Sequence, residues 1–191
     1  MSTLVVVKKN GVACIAADTM DRFGHQKQVA TYLSHSQKIL CIGDAYIGIV
    51  GNSAHYLVME SIFSQIEPLP HFQTKQEIFE FFCKLQPILK NNYFLNPKHK
   101  KVTLPYESSR FSLFIANPYG IFGVFRLREV FEYSKFCAIG SGNRYALGAL
   151  YAAYEQSDSA ETIAKCGVEA GIEFNASSAA PITSYRIELI Q

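Results

Sequence analysis

A hydroxyl residue follows the initiating methionine: the chain opens Met1-Ser2-Thr3-Leu4-Val5-Val6-Val7, and Asp18 lies beyond an Asn10-Gly11 turn. Removing Met1, which a small second residue permits, would leave Ser2 with both a hydroxyl and a free α-amine. That amine has a reference pKa of about 7.7–8.0, so a useful fraction is neutral near physiological pH and can act as general base to the hydroxyl beside it. One residue would then supply nucleophile and base together. A retained Met1 would block that chemistry, because Ser2 would have no free amine. Ordinary proteins also start Met-Ser, so the weight falls on what surrounds it.

The elements that would hold Ser2 begin at once. Leu4 to Val7 and Val12 to Ala17 are β-rich runs joined by Lys8-Lys9-Asn10-Gly11, a hairpin signal. Lys38 to Cys41 and Tyr46 to Val50 make a second pair around Gly43-Asp44-Ala45. These runs are continuously apolar rather than alternating, which predicts strands buried on both faces. From Ser53 to Ile66 the apolar period becomes helical, ending at Pro68 and Pro70. Thr74-Lys75-Gln76-Glu77 is a capping box opening a helix that Pro87 should kink or end. Strands are expected at Phe111 to Ala116, Ile121 to Arg126 and Glu132 to Ile139. Gly140-Ser141-Gly142 then leads into an Ala-rich helix, Tyr145 to Tyr154, and a capping box at Asp158 to Glu161 starts another reaching about Gly171. Ile182 to Ile190 reads as a last strand. Strands, two helices, strands, two helices, strand: this order suits two sheets packed face to face between two helical layers.

The 191 residues are enough for one domain with a full core, no linker-like stretch divides them, and residues 1–191 are read as a single domain. A net charge of +2 with 18% charged residues supplies no basic field for nucleic acid. No charged-then-apolar leader and no apolar run near the ~18 residues of a membrane helix is present, so neither nucleic acid nor membrane is an expected partner and a cytoplasmic location is. The five cysteines are scattered without a CxxC pair, which favours reduced core thiols over disulfides, metal ligands or a catalytic thiol. His25, His35, His55, His71 and His99 show no metal-ligand spacing, and no cofactor is expected. Pro97-Lys98-His99-Lys100-Lys101, the one basic cluster, reads as a solvated loop. Gly140-Ser141-Gly142 before a helix is a weak anion-site signal without the rest of a phosphate loop.

Ser2 through Asp18, Lys38-Ile39, Gly51-Asn52-Ser53 and Ala138-Ile139-Gly140-Ser141-Gly142 together resemble proteasome β-type subunits. In outline the chain is most similar to the bacterial HslV protease subunit and to compact bacterial proteasome homologues that lack a propeptide. The resemblance covers essentially the whole chain. It implies an α+β, four-layer αββα sandwich of the N-terminal-nucleophile hydrolase type, assembled as a homo-oligomer of stacked hexameric or heptameric rings. Unfolded polypeptide would be the substrate and an ATP-dependent unfoldase the partner. Residue by residue, Ser2 stands where the family has its terminal threonine, and Asp18 where an aspartate orients the basic lysine and the terminus. Lys38 matches the lysine that lowers the nucleophile's effective pKa, and Gly51 the glycine whose N–H helps form the oxyanion hole. Ser141 matches the serine that hydrogen-bonds the terminal amine, while Asn175 and Ser178 fall where an aspartate and a serine support that network.

Each match has its own chemical sense. A cation favours deprotonated hydroxyl and amine, a carboxylate fixes where that cation points, and a glycine lets backbone donors approach an oxyanion closely. The departures also have consequences. Ser lacks the methyl that restricts a threonine's χ1, which predicts slower or narrower peptidase activity. The interval from Asp18 to Lys38 is longer than in the family, and Lys27 competes for the lysine role; Lys38 is favoured because it opens an apolar strand. Met20 and Arg22 stand where active members usually have other polar residues, and Asn175 removes one charge from the support network. His35, near Lys38 in sequence, reads as an exposed loop residue. A catalytically silent ring and a small-amide hydrolase on the same fold are the alternative readings.

Overall fold

Asn10 and Gly11 adopt φ of 50° and 75°, the left-handed pair of a tight hairpin turn, and the two apolar runs beside them pair antiparallel from Leu4 opposite Ala17 to Lys9 opposite Val12. The computed structural model describes residues 2–98 and 104–190. In chain order its elements are β1 (Thr3–Lys9), β2 (Val12–Asp18), β3 (Asp21–Phe23), β4 (Gln26–Gln28), β5 (Ile39–Ile42), β6 (Ala45–Val50), α1 (Ala54–Phe63) and α2 (Lys75–Asn91). There follow β7 (Ser112–Asn117), β8 (Gly120–Val124), β9 (Val130–Tyr133), β10 (Phe136–Gly140), α3 (Asn143–Tyr154), α4 (Ala160–Phe174) and β11 (Ile182–Glu188). One antiparallel sheet runs β10-β1-β2-β11 and the other β5-β6-β7-β8-β9.

The continuous apolar runs are two interleaved period-2 patterns, each with its own core. Leu4 and Val6 of β1 point between the sheets with Ile15, Phe114 and Ile121. Val5 and Val7 point the other way, against Leu150 of α3 and Val168 of α4. On the far sheet Leu113 and Ile115 pack on Phe82 and Leu85 of α2 and Met59 of α1. Helices, sheet, sheet, helices: the fold is the expected αββα sandwich. Where both strand faces are apolar, hydrophobicity alone does not set register, and close approach helps to do so. A Cβ on Gly48 of β6 would lie 2.5 Å from Leu4 Cδ1 and 2.8 Å from Leu4 Cδ2, so any larger residue there would have to displace Leu4 from between the sheets.

Five expectations need correction. The run Glu132 to Ile139 is not one strand: β9 pairs with β8 and β10 pairs with β1, so the chain crosses between sheets at Ser134-Lys135. Pro87 does not end α2, which continues to Asn91 because Leu85 and Leu89 are buried on either side while Pro87 faces solvent. Both α1 and α4 differ in length from expectation, ending at Phe63 and Phe174. The polar loop around Lys27 is an ordered hairpin, β3 paired with β4, followed by a short helical turn at Ala30–Tyr32. Both helices have an N-cap hydroxyl, Thr74 Oγ1 accepting the Glu77 N–H at 3.2 Å and Ser159 Oγ the Thr162 N–H at 3.2 Å, but neither completes the expected box: the Glu77 carboxylate accepts the Gln73 N–H, and the second cap stands at Ser159 rather than Asp158.

Met1 and, in the basic cluster, His99, Lys100 and Lys101 lie outside the described residues. Among the described residues no helix is long and apolar enough to cross a membrane. All five cysteines are unpaired, and burial pushes the Cys14 thiol up to about 12, which makes it a core residue and no nucleophile.

Candidate active site

Asp18 ends β2 with its carboxylate fully buried and surrounded by donors. Its Oδ1 accepts the Thr3 backbone N–H at 2.8 Å and the Lys38 ammonium at 2.9 Å. Its Oδ2 accepts the N–H groups of Met20 at 3.1 Å and Ala179 at 3.2 Å. A buried carboxylate is tolerable only when paired and hydrogen-bonded, and this one has a cation and three peptide donors. The consequence is positional. One oxygen ties the strand immediately after Ser2 to the lysine.

Lys38 precedes β5, its own carbonyl accepting the Ile49 N–H at 3.0 Å, so its backbone is fixed against β6. The side chain is 7% exposed. Burial pushes its pKa below the ordinary lysine value, while the Asp18 carboxylate opposes that shift by charge and hydrogen bond. Lys27, the competing lysine, is exposed on β4 opposite Arg22 and makes no contact with Asp18. The hairpin that carries it accounts for the long interval between Asp18 and Lys38.

The glycines around Ser141 make room for the start of β1. Gly140 has φ of 100°, and a Cβ there would collide with the Ser2 carbonyl. A Cβ on Gly142 would collide with Thr3 Oγ1, and the Gly142 N–H donates to the Ser2 carbonyl at 3.3 Å. The Gly-Ser-Gly sequence is therefore a seat for the Ser2-Thr3 backbone. Asn175, at the end of α4, donates from Nδ2 to Ser141 Oγ at 2.8 Å and to Ser178 Oγ at 2.9 Å. Ser178 Oγ is in turn 2.7 Å from Thr3 Oγ1.

The expected residues thus fall into two groups on either side of β1's first residues. Ser2, Lys38 and Gly51 line one cleft of about 750 Å³. Its walls include Asp21 and Arg22 of β3, the exposed His35, and Tyr56, Leu57 and Glu60 of α1. Ser141, Asn175 and Ser178 form the second group, a hydrogen-bonded chain that ends on Thr3. Among the described residues no hydrogen bond joins the Ser2 hydroxyl to Lys38; Asp18 holds the lysine. Arg22, one of the departures noted in the sequence, donates to Ser177 Oγ at 3.0 Å, and Met20 is fully buried with its N–H on Asp18.

Three contributors were not anticipated. Thr3 links both groups through its N–H and its hydroxyl, and its one sequence signal was a second hydroxyl residue leading an otherwise apolar strand. Met20 and Ala179 contribute through their backbone N–H groups alone, which no side-chain pattern reveals.

Solved structures provide close likenesses. A structure of Thiobacillus denitrificans BPH in complex with epoxomicin superposes with a TM-score of 0.93 at 39% sequence identity, covering 99% of this chain and 100% of that one. Another structure of Thiobacillus denitrificans BPH gives 0.93 at 40% identity, over 98% of both chains. HslV of Trypanosoma brucei shares the fold, with a TM-score of 0.65 at 20% identity over 97% of this chain and 99% of that one. No protein-family model matches the sequence, and no curated protein does.

Proposed function

The chain belongs to the proteasome β-type, HslV-like family of N-terminal-nucleophile hydrolases, and from that premise we propose a self-compartmentalising peptidase whose nucleophile is Ser2 after removal of Met1. The observation that carries this reading is the shared Asp18 oxygen: it fixes the Lys38 ammonium and the Thr3 N–H together, at the cleft into which Ser2 faces. Ser2 Oγ attacks a peptide carbonyl while its proton passes to the neutral α-amine, forming a tetrahedral oxyanion that the Gly51 N–H stabilises. The positive charge on Lys38 favours the deprotonated hydroxyl. Collapse breaks the C–N bond, the leaving amine takes the proton, and an ester acyl-enzyme remains. Water, deprotonated by the same α-amine, hydrolyses that ester and returns Ser2. Ser141 is the partner for the α-amine, while Asn175 and Ser178 brace it by way of Thr3.

The working form is a homo-oligomer of two stacked rings of six or seven subunits in the cytoplasm, taking unfolded polypeptide from an ATP-dependent unfoldase. Family membership supports this, as does aromatic surface on the outer helices: Tyr151 is 79% and Phe174 66% exposed.

Intact mass, covalent labelling and sedimentation test the reading together. The active protein should lack one methionine, sediment as a double ring, and react with a peptidyl epoxyketone, which needs both a hydroxyl and the adjacent free amine. Ser2→Ala should lose that adduct and keep the rings. Processed rings that neither label nor cleave any peptide in a broad library would make the protein a silent shell. A monomer would remove the compartment from the reading.

A further inference from the structure

The Gly51 loop is held from behind by a histidine that does not line the cleft. Gly51, Asn52 and Ser53 are exposed and form one cleft wall, whereas His55, in the first turn of α1, is half-buried on the opposite side of the loop. Its Nδ1 lies 3.0 Å from the Asn52 N–H, and its ring packs against Phe111 with centroids 5.3 Å apart. The fit to Gly51 is close. A Cβ at Gly51 would come within 2.8 Å of His55 Nδ1 and 3.1 Å of the Phe111 Cβ, so the imidazole stands where a side chain at position 51 would begin. Asn52 Oδ1 separately accepts the Ala54 N–H at 3.0 Å, an Asx turn leading into α1.

Glycine has no Cβ to restrict its backbone, so a catalytic donor on Gly51 must be fixed by something else. The Asn52 N–H belongs to the peptide plane on the C-terminal side of Gly51, and gripping it removes the rotation that would swing that plane. We infer that His55 is the positioning residue of the oxyanion loop: its Nδ1 accepts the Asn52 N–H and its ring backs the Gly51 Cα, so Gly51 is held on its C-terminal side while the pairing of Val50 with Ser112 holds the peptide plane that carries the Gly51 N–H. The inference rests on the proposed role of Gly51 as oxyanion donor.

The grip requires one tautomer. Nδ1 can accept only when the ring is neutral with its proton on Nε2. Protonated, Nδ1 becomes a donor and must release the Asn52 N–H; it then faces the Asn52 carbonyl, 3.1 Å away, which already accepts the His55 N–H at 2.9 Å. Burial lowers the pKa of the ring, the Asn52 carbonyl raises it, and Arg110 is the charged side chain whose field lowers it further. The ring is therefore neutral at neutral pH, as the grip requires.

Two substitutions and two readouts test this on the assembled protein. His55→Phe keeps a ring against Phe111 and loses the acceptor; His55→Asn returns an acceptor near the Nδ1 position that does not titrate. Hydrogen exchange read by mass spectrometry should show the Asn52 amide exchanging faster in His55→Phe and regaining protection in His55→Asn. With a fluorogenic peptide, His55→Phe should lower kcat by about 10- to 100-fold with KM little changed, the size expected for a misplaced oxyanion donor. His55→Asn should recover most of kcat and keep the acid-side loss of the Ser2 α-amine without the further loss, at lower pH, that protonation of His55 adds in the native protein. Unchanged exchange at Asn52 in His55→Phe, or a kcat loss that His55→Asn does not relieve, would overturn the inference. If the native protein cleaves nothing, the fault lies with the catalytic reading, and exchange at Asn52 still decides whether His55 grips the loop.

Discussion

Thr3 Oγ1 and Ser178 Oγ meet at 2.7 Å, both buried, joining the first strand to the turn after α4. The pair leaves no slack, because Gly142 and Gly171 press on Thr3 so closely that a Cβ on either would overlap its side chain. Ser178 is also the acceptor for Asn175 Nδ2, so its own proton is free for Thr3. The residue next to the proposed nucleophile is thereby anchored at its N–H by Asp18 and at its hydroxyl by Ser178.

Thr3→Val keeps the shape of the side chain and removes that second anchor. Leaving a buried hydroxyl without its partner costs about 1–3 kcal/mol, which thermal unfolding will read as a lower Tm. Epoxyketone labelling of Ser2 should slow as well, since the strand carrying it is less firmly held. Ser178→Ala should cost a similar amount. Because both changes cut the same contact, the double variant should lose clearly less than the sum. Fully additive losses would show that the pair is not the contact that matters.

The two lysines should separate sharply. Lys38→Ala deprives a fully buried carboxylate of its cation, a loss in the region of 3–5 kcal/mol for broken buried pairs, lessened here by the three N–H donors that remain on Asp18. Labelling of Ser2 should be abolished while the rings persist. Lys27→Ala, on an exposed hairpin, should stay within about 0.5 kcal/mol of the native protein and label normally. Equal labelling by the two variants, measured by intact mass over time, would remove Lys38 from the proposed chemistry.

These residues differ in how visible they are before folding. Asp18 and Lys38 stand out because each borders an apolar strand, where an ionisable side chain is costly unless it has a partner. Thr3 does not, because a β-branched hydroxyl residue at a strand start is ordinary strand chemistry. The sheet crossing at Ser134-Lys135 was hidden for a similar reason: β9 and β10 together read as one β-rich run, and nothing in such a run says that pairing partners change. Pro87 misled in the opposite direction, since local backbone preference favoured a break and tertiary burial of Leu85 and Leu89 outweighed it. The His55 grip on Asn52 could not be read at all, because one of its two partners is a peptide N–H that every non-proline residue carries.

The pH dependence of labelling should have two limbs with distinct owners. On the acid side the α-amine of Ser2 must lose a proton, near its reference value of about 7.7–8.0. On the alkaline side Lys38 must keep its proton, and burial has moved its pKa below the ordinary lysine value of 10.5, with Asp18 and Asp21 opposing that shift. The alkaline limb should therefore begin below 10.5, and Lys38→Arg, if labelled at all, should lack it because guanidinium stays charged. Stability should move the other way. Between the folded and unfolded pKa values of Lys38 the unfolded chain binds more protons than the native one, so this group's contribution to stability rises with pH across that window. Comparing the pH dependence of Tm in the native protein and in Lys38→Met isolates that contribution from other groups titrating there. An alkaline limb at or above 10.5 would show that the lysine in the cleft is not the cation that labelling requires. Lys38→Met leaves Asp18 without its cation and should be the less stable protein, and the Tm of the native protein should rise further above it as pH rises through the window, because a buried ammonium that sheds its proton stops opposing the fold. A native Tm that falls relative to Lys38→Met across that window would show that the fold holds the lysine proton more tightly than the unfolded chain does.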